Sequence, residues 1–291
     1  MKIENLKEAS PKQVKALQAK ALEILQYFQG FCNQYGLVFY ICGGCCIGAI
    51  RHKGFIPWDD DIDVFMKRDD YEKLPTLWNK YADTMHYSYC RTTATQNYHN
   101  IGASIRDNNT TFINAHSVND DINHGLQIDI IPLDVCPTSK IERLSQIFFA
   151  MLYSLYNAQR LPDNQGKLLR ILSKVMLKIV PSKKIRYKIW SFAQKRMTRW
   201  NGKSTGYITE ICSGFRYMKN KYPESYFSQP IMKEFENIKV PLPTDYDGYL
   251  KMAFGDYLTL PPKEKQIAKH NTVLVDLEHS YKDYQGIYYC K

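Results

Sequence analysis

Cys42-Gly43-Gly44-Cys45-Cys46-Ile47-Gly48-Ala49-Ile50-Arg51-His52-Lys53-Gly54-Phe55-Ile56-Pro57-Trp58-Asp59-Asp60-Asp61-Ile62-Asp63-Val64 is the stretch that decides how this chain folds. It joins a glycine-rich turn to four carboxylates packed into five positions. Consecutive aspartates beside an apolar strand repel one another, and such a cluster persists in a folded core where a cation neutralises it. Residues i and i+2 of a strand share a face. Asp61 and Asp63 in Asp61-Ile62-Asp63-Val64-Phe65-Met66 therefore point the same way. Glycines upstream let backbone amides approach closely, so this pair suits Mg²⁺, or Mn²⁺ in its place, together with a phosphate. Trp58, Ile62, Val64 and Phe65 do not suit a solvated acidic loop.

Around this stretch the pattern predicts a mixed sheet flanked by helices on an α+β plan. Ser10-Pro11 starts a helix, and Val14, Leu17, Ala21, Leu25 and Phe28 repeat at helical spacing up to Gly36. Residues 37–42 read as a buried strand, with a short helix over 47–52 after the glycines. A helix over 69–83 follows the acidic strand. Short strands are expected at 86–91, 100–106, 111–114 and 126–131. From Thr138 to Asn201 the pattern turns helical, and Pro181 separates an amphipathic helix over 167–180 from a second over 182–200. The chain thus divides into a core over 1–137, a basic helical subdomain over 138–225, and a C-terminal segment over 226–291 that packs back on the core.

The net charge of +10 is concentrated. Fifteen Lys and Arg between Lys140 and Lys203 face two acids, Glu142 and Asp163. This basic side is either a solvated face or a surface that meets anionic lipid or a polyanionic acceptor. No groove-reading motif accompanies it, so nucleic acid is not expected as a partner. The start of the chain lacks the apolar region of a signal peptide and no window has 18 uninterrupted apolar residues. A cytoplasmic protein, peripheral at the inner face of the membrane at most, is expected. The eight cysteines are then expected to stay reduced. Cys42-x-x-Cys45 matches a zinc or redox half-site, but no second pair at ligand spacing follows it.

Asp129 in Leu126-Gln127-Ile128-Asp129-Ile130-Ile131-Pro132-Leu133-Asp134 is a charge inside an apolar strand. A buried, unpaired carboxylate is costly, and a metal or neighbouring cation relieves that cost. Asp61, Asp63 and Asp129 therefore form a candidate metal-binding and catalytic triad, while Asp134, just past Pro132, reads as a turn or capping residue. Phosphoryl chemistry also needs positive groups near the transferring phosphate. Arg51, His52 and Lys53 follow the glycine turn and Arg106 ends a strand. His270 lies where the C-terminal segment would face the site.

These residues resemble the LicD family, whose eukaryotic relatives include fukutin and the fukutin-related protein. The family's first block is matched from Gly43 to Asp63, its second by Ile128 to Asp134, and its third by Phe254-Gly255-Asp256-Tyr257-Leu258 with Leu260 to Lys265 and His270 beyond it. The resemblance covers about half of the chain. Cys45 and Cys46 depart from the small or aliphatic residues of the family, Phe254 stands where it often has Tyr, and a single His270 stands where a His pair is common. What the resemblance implies is a nucleotidyltransferase-like fold, with the glycine pair at Gly43 and Gly44, the Asp-x-Asp strand at Asp61 and Asp63, and the later acid at Asp129. It also implies transfer of a phosphorylated alcohol, such as phosphocholine, from a CDP-alcohol to a hydroxyl of a cell-surface glycan or lipid-linked oligosaccharide. In that scheme Asp61, Asp63 and Asp129 hold the metal, and Gly43, Gly44, Arg51, His52, Arg106 and His270 contact substrate. Two alternatives stand beside it: a nucleotidyltransferase releasing pyrophosphate from a nucleoside triphosphate, and a catalytically silent binding protein of glycan assembly.

Overall fold

In the computed structural model, which describes residues 1–100, 102–160 and 167–291, a short strand β1 (Lys2–Ile3) leads into α1 (Pro11–Tyr35). Ser10 caps α1 in a reciprocal capping box with Gln13, and Gly36 ends it in the left-handed region. The face predicted from helical spacing is the one buried: Val14, Leu17, Ala21, Leu25 and Phe28 all point inward. β2 (Phe39–Ile41), α2 (Gly43–Arg51), β3 (Asp63–Lys67) and α3 (Arg68–Tyr81) follow. Then come β4 (Tyr87–Cys90), β5 (Ala103–Asp107), β6 (Thr111–Asn114) and the nine-residue β7 (Gln127–Val135). The strand expected over 100–106 begins later, at Ala103, and Ile101 lies outside the described residues.

The main sheet runs β2-β3-β7-β5-β4. Only β3 and β7 are parallel, and the other pairs on that path are antiparallel. The fold is α+β, as the sequence predicts. Pro132 sits inside β7 without breaking it. The Asp129 amide donates to the Ile62 carbonyl on the β3 side, so alternate residues, Pro132 included, turn their nitrogens the other way. On that side β5 has already ended, at Ala103 opposite Ile130, and no ladder bond is lost.

The helical segment is α4 (Lys140–Ala158), α5 (Lys167–Ile179) and α6 (Lys183–Met197); residues 161–166, including Asp163, lie outside the described residues. It has its own apolar cluster, centred on Ala150, Tyr153, Tyr156, Trp190, Ala193 and Met197. The chain then returns through β8 (Tyr207–Thr209), whose Thr209 pairs with Asp134 of β7, and β9 (Tyr222–Pro223) extends the sheet beyond it. A hairpin of β10 (Ile231–Phe235) and β11 (Ile238–Leu242) and helix α7 (Tyr246–Phe254) pack on the core cluster. Finally, β12 (Thr272–Asp276) lies between β1 and β6 in a second, three-stranded sheet.

Asp134 is not the turn or capping residue expected from the sequence. It is fully buried in β7 and binds Arg68 in a two-pronged pair, Nε to Oδ1 at 2.8 Å and Nη2 to Oδ2 at 2.7 Å. Asn201 also donates to it at 2.7 Å. Pro132 misled because it ends no strand here. The pair ties β7 to the start of α3 and to the end of the helical segment. Asp134→Ala takes two hydrogen bonds from the buried Arg68 guanidinium and leaves it Glu72, at 3.2 Å, as its remaining acid, and we expect a loss of about 3 kcal/mol in stability. Urea denaturation checks this, and an unchanged midpoint would show the pair to be dispensable.

Candidate active site

The acidic segment is held from two sides. Gln18 of α1 donates its side-chain amide to the carbonyls of Ile56, at 3.0 Å, and Asp59, at 2.8 Å. The Cys42 amide donates to the Asp63 carbonyl at 3.0 Å, and the Cys45 thiol to the Asp61 carbonyl at 3.4 Å. Parallel pairing puts Asp63 directly beside Asp129, on strands about 4.8 Å apart. Asp61, Asp63 and Asp129 all line one cleft of about 380 Å³, together with Gly43, Gly44 and His270. Asp129, distant in sequence, thus shares a cavity with Asp61 and Asp63.

The glycines are not a turn before a helix but the first turn of α2 itself, four residues earlier than expected. Gly43 has φ +55°, a conformation open to glycine at little cost. A β-carbon on Gly44 would run into the Asp59 carboxylate, 3.0 Å from its Cγ. This close approach explains why a poor helix former stands there. The N-terminus of α2 faces the cleft, where amides and the helix dipole favour an anion. The Gly43 amide itself donates to the Tyr249 hydroxyl at 3.1 Å.

Of the expected cations, His270 lines the cleft and the others do not. Arg51 turns its guanidinium to the carbonyls of Tyr257, at 3.0 Å, and Thr259, at 3.4 Å, and its Nε to the His52 ring. Their position at the far end of α2 carries Arg51 and His52 away from the glycines, and Arg51 braces the C-terminal loop. Arg106 is buried, donating to Ser104 Oγ at 3.0 Å and to the Asn123 carbonyl. It reaches the site through its field, which favours the ionised form of Asp129.

Burial pushes the Asp59 carboxyl up to about 7, and neighbouring Asp61 adds to it against the opposing charge of Lys269. Asp63 is pushed well up by burial and by Asp61, Asp129 and Asp59. Asp61 and Asp129 are raised as well, chiefly by burial. Asp129 is fixed by the Gln127 side chain, 2.9 Å from both of its oxygens, and by Asn100 at 3.3 Å. Asp60 behaves differently. Burial would raise it, but hydrogen bonds and charge from His270 bring it below the ordinary carboxylate range. Its Oδ2 accepts the His270 amide at 3.0 Å, and its Oδ1 lies 3.2 Å from His270 Nδ1 in an ion pair without hydrogen-bond alignment.

Sequence reading left several cleft residues unassigned. Asp59 and Asp60 stand in the quoted stretch, yet alternation favoured Asp61 and Asp63. Glu210 sits in Ile208-Thr209-Glu210-Ile211, a charge in an apolar run, the same signal that marked Asp129. Lys269 borders His270. His99, His116, Arg160, Ser213 and Tyr217 also line the cleft, and no local pattern marks them. Among the described residues, the one group of three ligand types whose donor atoms lie within 4.8 Å of one another is Asp60, Asp61 and His270.

Residues 36–134 match the family model for the LicD/FKTN/FKRP nucleotidyltransferase domain. The chain is 31% identical over 262 residues to the lipopolysaccharide cholinephosphotransferase LicD of Haemophilus influenzae, covering 87% of this chain and 94% of that protein. This chain belongs to the LicD family. An uncharacterized protein of Rickettsia typhi is 31% identical over 68 residues, 22% of each chain. The LicD domain match starts just before β2 and ends at Asp134, so it contains the glycine turn and every aspartate of the cleft. His270, Lys269, Glu210 and Tyr217 come from later segments and complete the same cavity.

The Asp60–His270 pair gives a pH signature. Ion pairing overcomes burial and raises the His270 imidazole to about 9, above its ordinary value near 6.5. A raised histidine stabilises the folded state fully below about 6.5, and that stabilisation is lost as pH rises through about 9. Depressed Asp60 stabilises above about 3.9 and loses this as pH falls through its lower folded value. His270→Gln should therefore lower the melting temperature most between about pH 4 and 6.5, with the deficit vanishing above 9. A deficit independent of pH would mean that the imidazole acts by packing alone.

Proposed function

We propose that this chain transfers phosphocholine from CDP-choline to a hydroxyl of a cell-surface glycan such as lipopolysaccharide, with a divalent metal, Mg²⁺ or Mn²⁺. The observation that carries the reading is one cleft holding Asp61, Asp63 and Asp129 beside the N-terminus of α2, in a chain that aligns with nearly the whole length of a cholinephosphotransferase.

The residues fit a metal. Asp59 Oδ2 is buried without a hydrogen-bond partner, and burial and mutual repulsion push up the carboxyls beside it. Oxygen donors of this kind suit a hard cation. Asp61, Asp63 and Asp129 would hold it. Asp60 is engaged with the imidazolium of His270 and serves to position it. When bound, the ion neutralises charge on the pyrophosphate and on departing CMP.

The chain's own groups do the rest. Amides at the start of α2 and the Lys269 side chain favour the phosphates. Asp129, oriented by Gln127 and Asn100, receives the proton of the acceptor hydroxyl. The acceptor oxygen attacks the phosphorus bearing choline, a new O–P bond forms, and the P–O bond to CMP breaks with its electron pair leaving on CMP. A second hollow of about 550 Å³, lined by Thr92, Gln96, Asn97, Tyr187 and Trp190, shares His99 with the cleft. Polar groups beside aromatic rings suit a sugar there.

Purified protein with CDP-choline, an acceptor glycan and Mg²⁺ should release CMP, and chelation should stop it reversibly. Asp63→Asn and Asp129→Asn should each lower the rate by at least about a hundredfold with the melting temperature preserved. Phosphorus NMR distinguishes the alternative, since pyrophosphate released from a nucleoside triphosphate would displace this reading. A silent binding protein would bind neither nucleotide nor metal.

We also propose that the helical segment rests on an anionic membrane surface. No described helix is long and apolar enough to cross a membrane. Yet α4 exposes Ile141, Leu144 and Phe148, α5 exposes Ile171, Val175 and Ile179, and α6 exposes Ile185 and Phe192, among Lys140, Lys174, Lys178, Lys184 and Lys188. Apolar and basic side chains together are what an anionic bilayer face attracts. The protein should cosediment with phosphatidylserine vesicles at low salt and come off at high salt; no binding at low salt would overturn the idea.

A further inference from the structure

One wall of the cleft is unlike the rest. It is formed by Tyr217, between β8 and β9, and by Phe254 at the end of α7. Both rings are half-buried, with centroids 5.8 Å apart and planes tilted by 55°. Tyr249 stands behind Phe254 at 6.4 Å and 85°. All three rings line the cleft. Beside them lies Glu210, 4% exposed. Its carboxylate accepts hydrogen bonds from Ser213 at 2.9 Å, from Asn220 at 3.4 Å and from the Tyr222 hydroxyl. It has no Lys or Arg partner among these contacts.

We infer that Tyr217, Phe254 and Glu210 seat the positively charged head of the transferred alcohol, a quaternary ammonium. This deepens the reading of the chain as a phosphocholine transferase and rests on it. The chemistry follows from the ligand. A quaternary ammonium has no N–H to donate, so a hydrogen-bonding pocket cannot single it out. Aromatic faces and a nearby carboxylate attract it by charge alone. The exposed Arg216 guanidinium already rests over the Tyr217 ring, 5.9 Å from its centroid, so this ring takes a cation in the present fold. Burial lifts Glu210 to about 7, and a cation seated beside it would hold it ionised. On the proposed reading the aspartates are engaged by the phosphates and the metal, which leaves Glu210 for the ammonium. The cleft thus offers a metal-and-phosphate end and a cationic-head end.

The test compares CDP-choline with the CDP ester of 3,3-dimethylbutanol, the neutral carbon isostere of choline. CMP release gives kcat/KM for both in the wild type and in Glu210→Gln, Phe254→Leu and Tyr217→Leu. The wild type should prefer the choline compound by about tenfold or more, and each variant should bring that ratio toward one. Glu210→Gln keeps the shape and part of the hydrogen bonding, and thermal melting confirms that each variant is folded. Because the readout is a ratio of two substrates on one protein, a general loss of active enzyme does not move it. Folded variants that keep the wild-type ratio overturn the seat and leave the transferase reading standing. No CMP release from either compound by the wild type overturns both.

Discussion

Carboxylates of like charge held partly out of water are the constraint on which this molecule is built. Asp59, Asp61 and Asp63 lie within one short segment, and parallel pairing brings Asp129 beside Asp63. Left alone, such a group would take up protons or push apart. It stays together because the backbone gives it no choice. The amide of Asp129 is fixed on Ile62, that of Cys42 on the Asp63 carbonyl, and Gln18 grips the Asp59 loop from α1. The result is a cleft whose acids are held together with their carboxyls raised by burial.

Much of the surrounding fold supplies compensation from a distance. Arg106 sits under the sheet, donates to neutral groups and lends its charge to Asp129 without entering the cleft. His270 neutralises Asp60, and the three-stranded sheet anchors it, since β12 begins two residues later. On the opposite end of β7, Asp134 is paired with Arg68 through two hydrogen bonds. One strand therefore carries an acid at residue 134 paired with a cation and an acid at residue 129 held by neutral donors.

The sequence revealed the parts whose signal is local. Helix α1 was legible through its capping box, its apolar spacing and Gly36. The α+β plan was legible from the strand runs, and Asp61, Asp63 and Asp129 from charges in apolar strands. Asp134 shows the limit: it carries the same local signal as Asp129, and only the distant Arg68 decides its role. Arg51 and His52 failed for a related reason, because proximity in sequence to the glycines is undone by a helix that carries them to its other end. Glu210 carries the signal of a charge in an apolar run and Tyr217 carries none, but the place of both in the cleft depends on the return of the chain through β8, paired with β7 across the whole helical segment. Tertiary context of this kind leaves no periodicity to read.

The distribution of charge separates two functions that net charge would blur. The chain carries +10, yet its acidic cleft draws compensation from Lys269, His270, Arg106 and Arg160 rather than from the body of α4, α5 and α6. A protein selected only to neutralise its own acids would turn those helices inward. Here their apolar cluster is turned inward, around Trp190 and Tyr153, and their lysines stay in solvent beside exposed Ile141, Leu144 and Phe148. Cations kept apart from nearby anions of the same molecule are free for anions of another. The acidic cleft and the basic helices thus carry opposite charge on separate parts of the molecule.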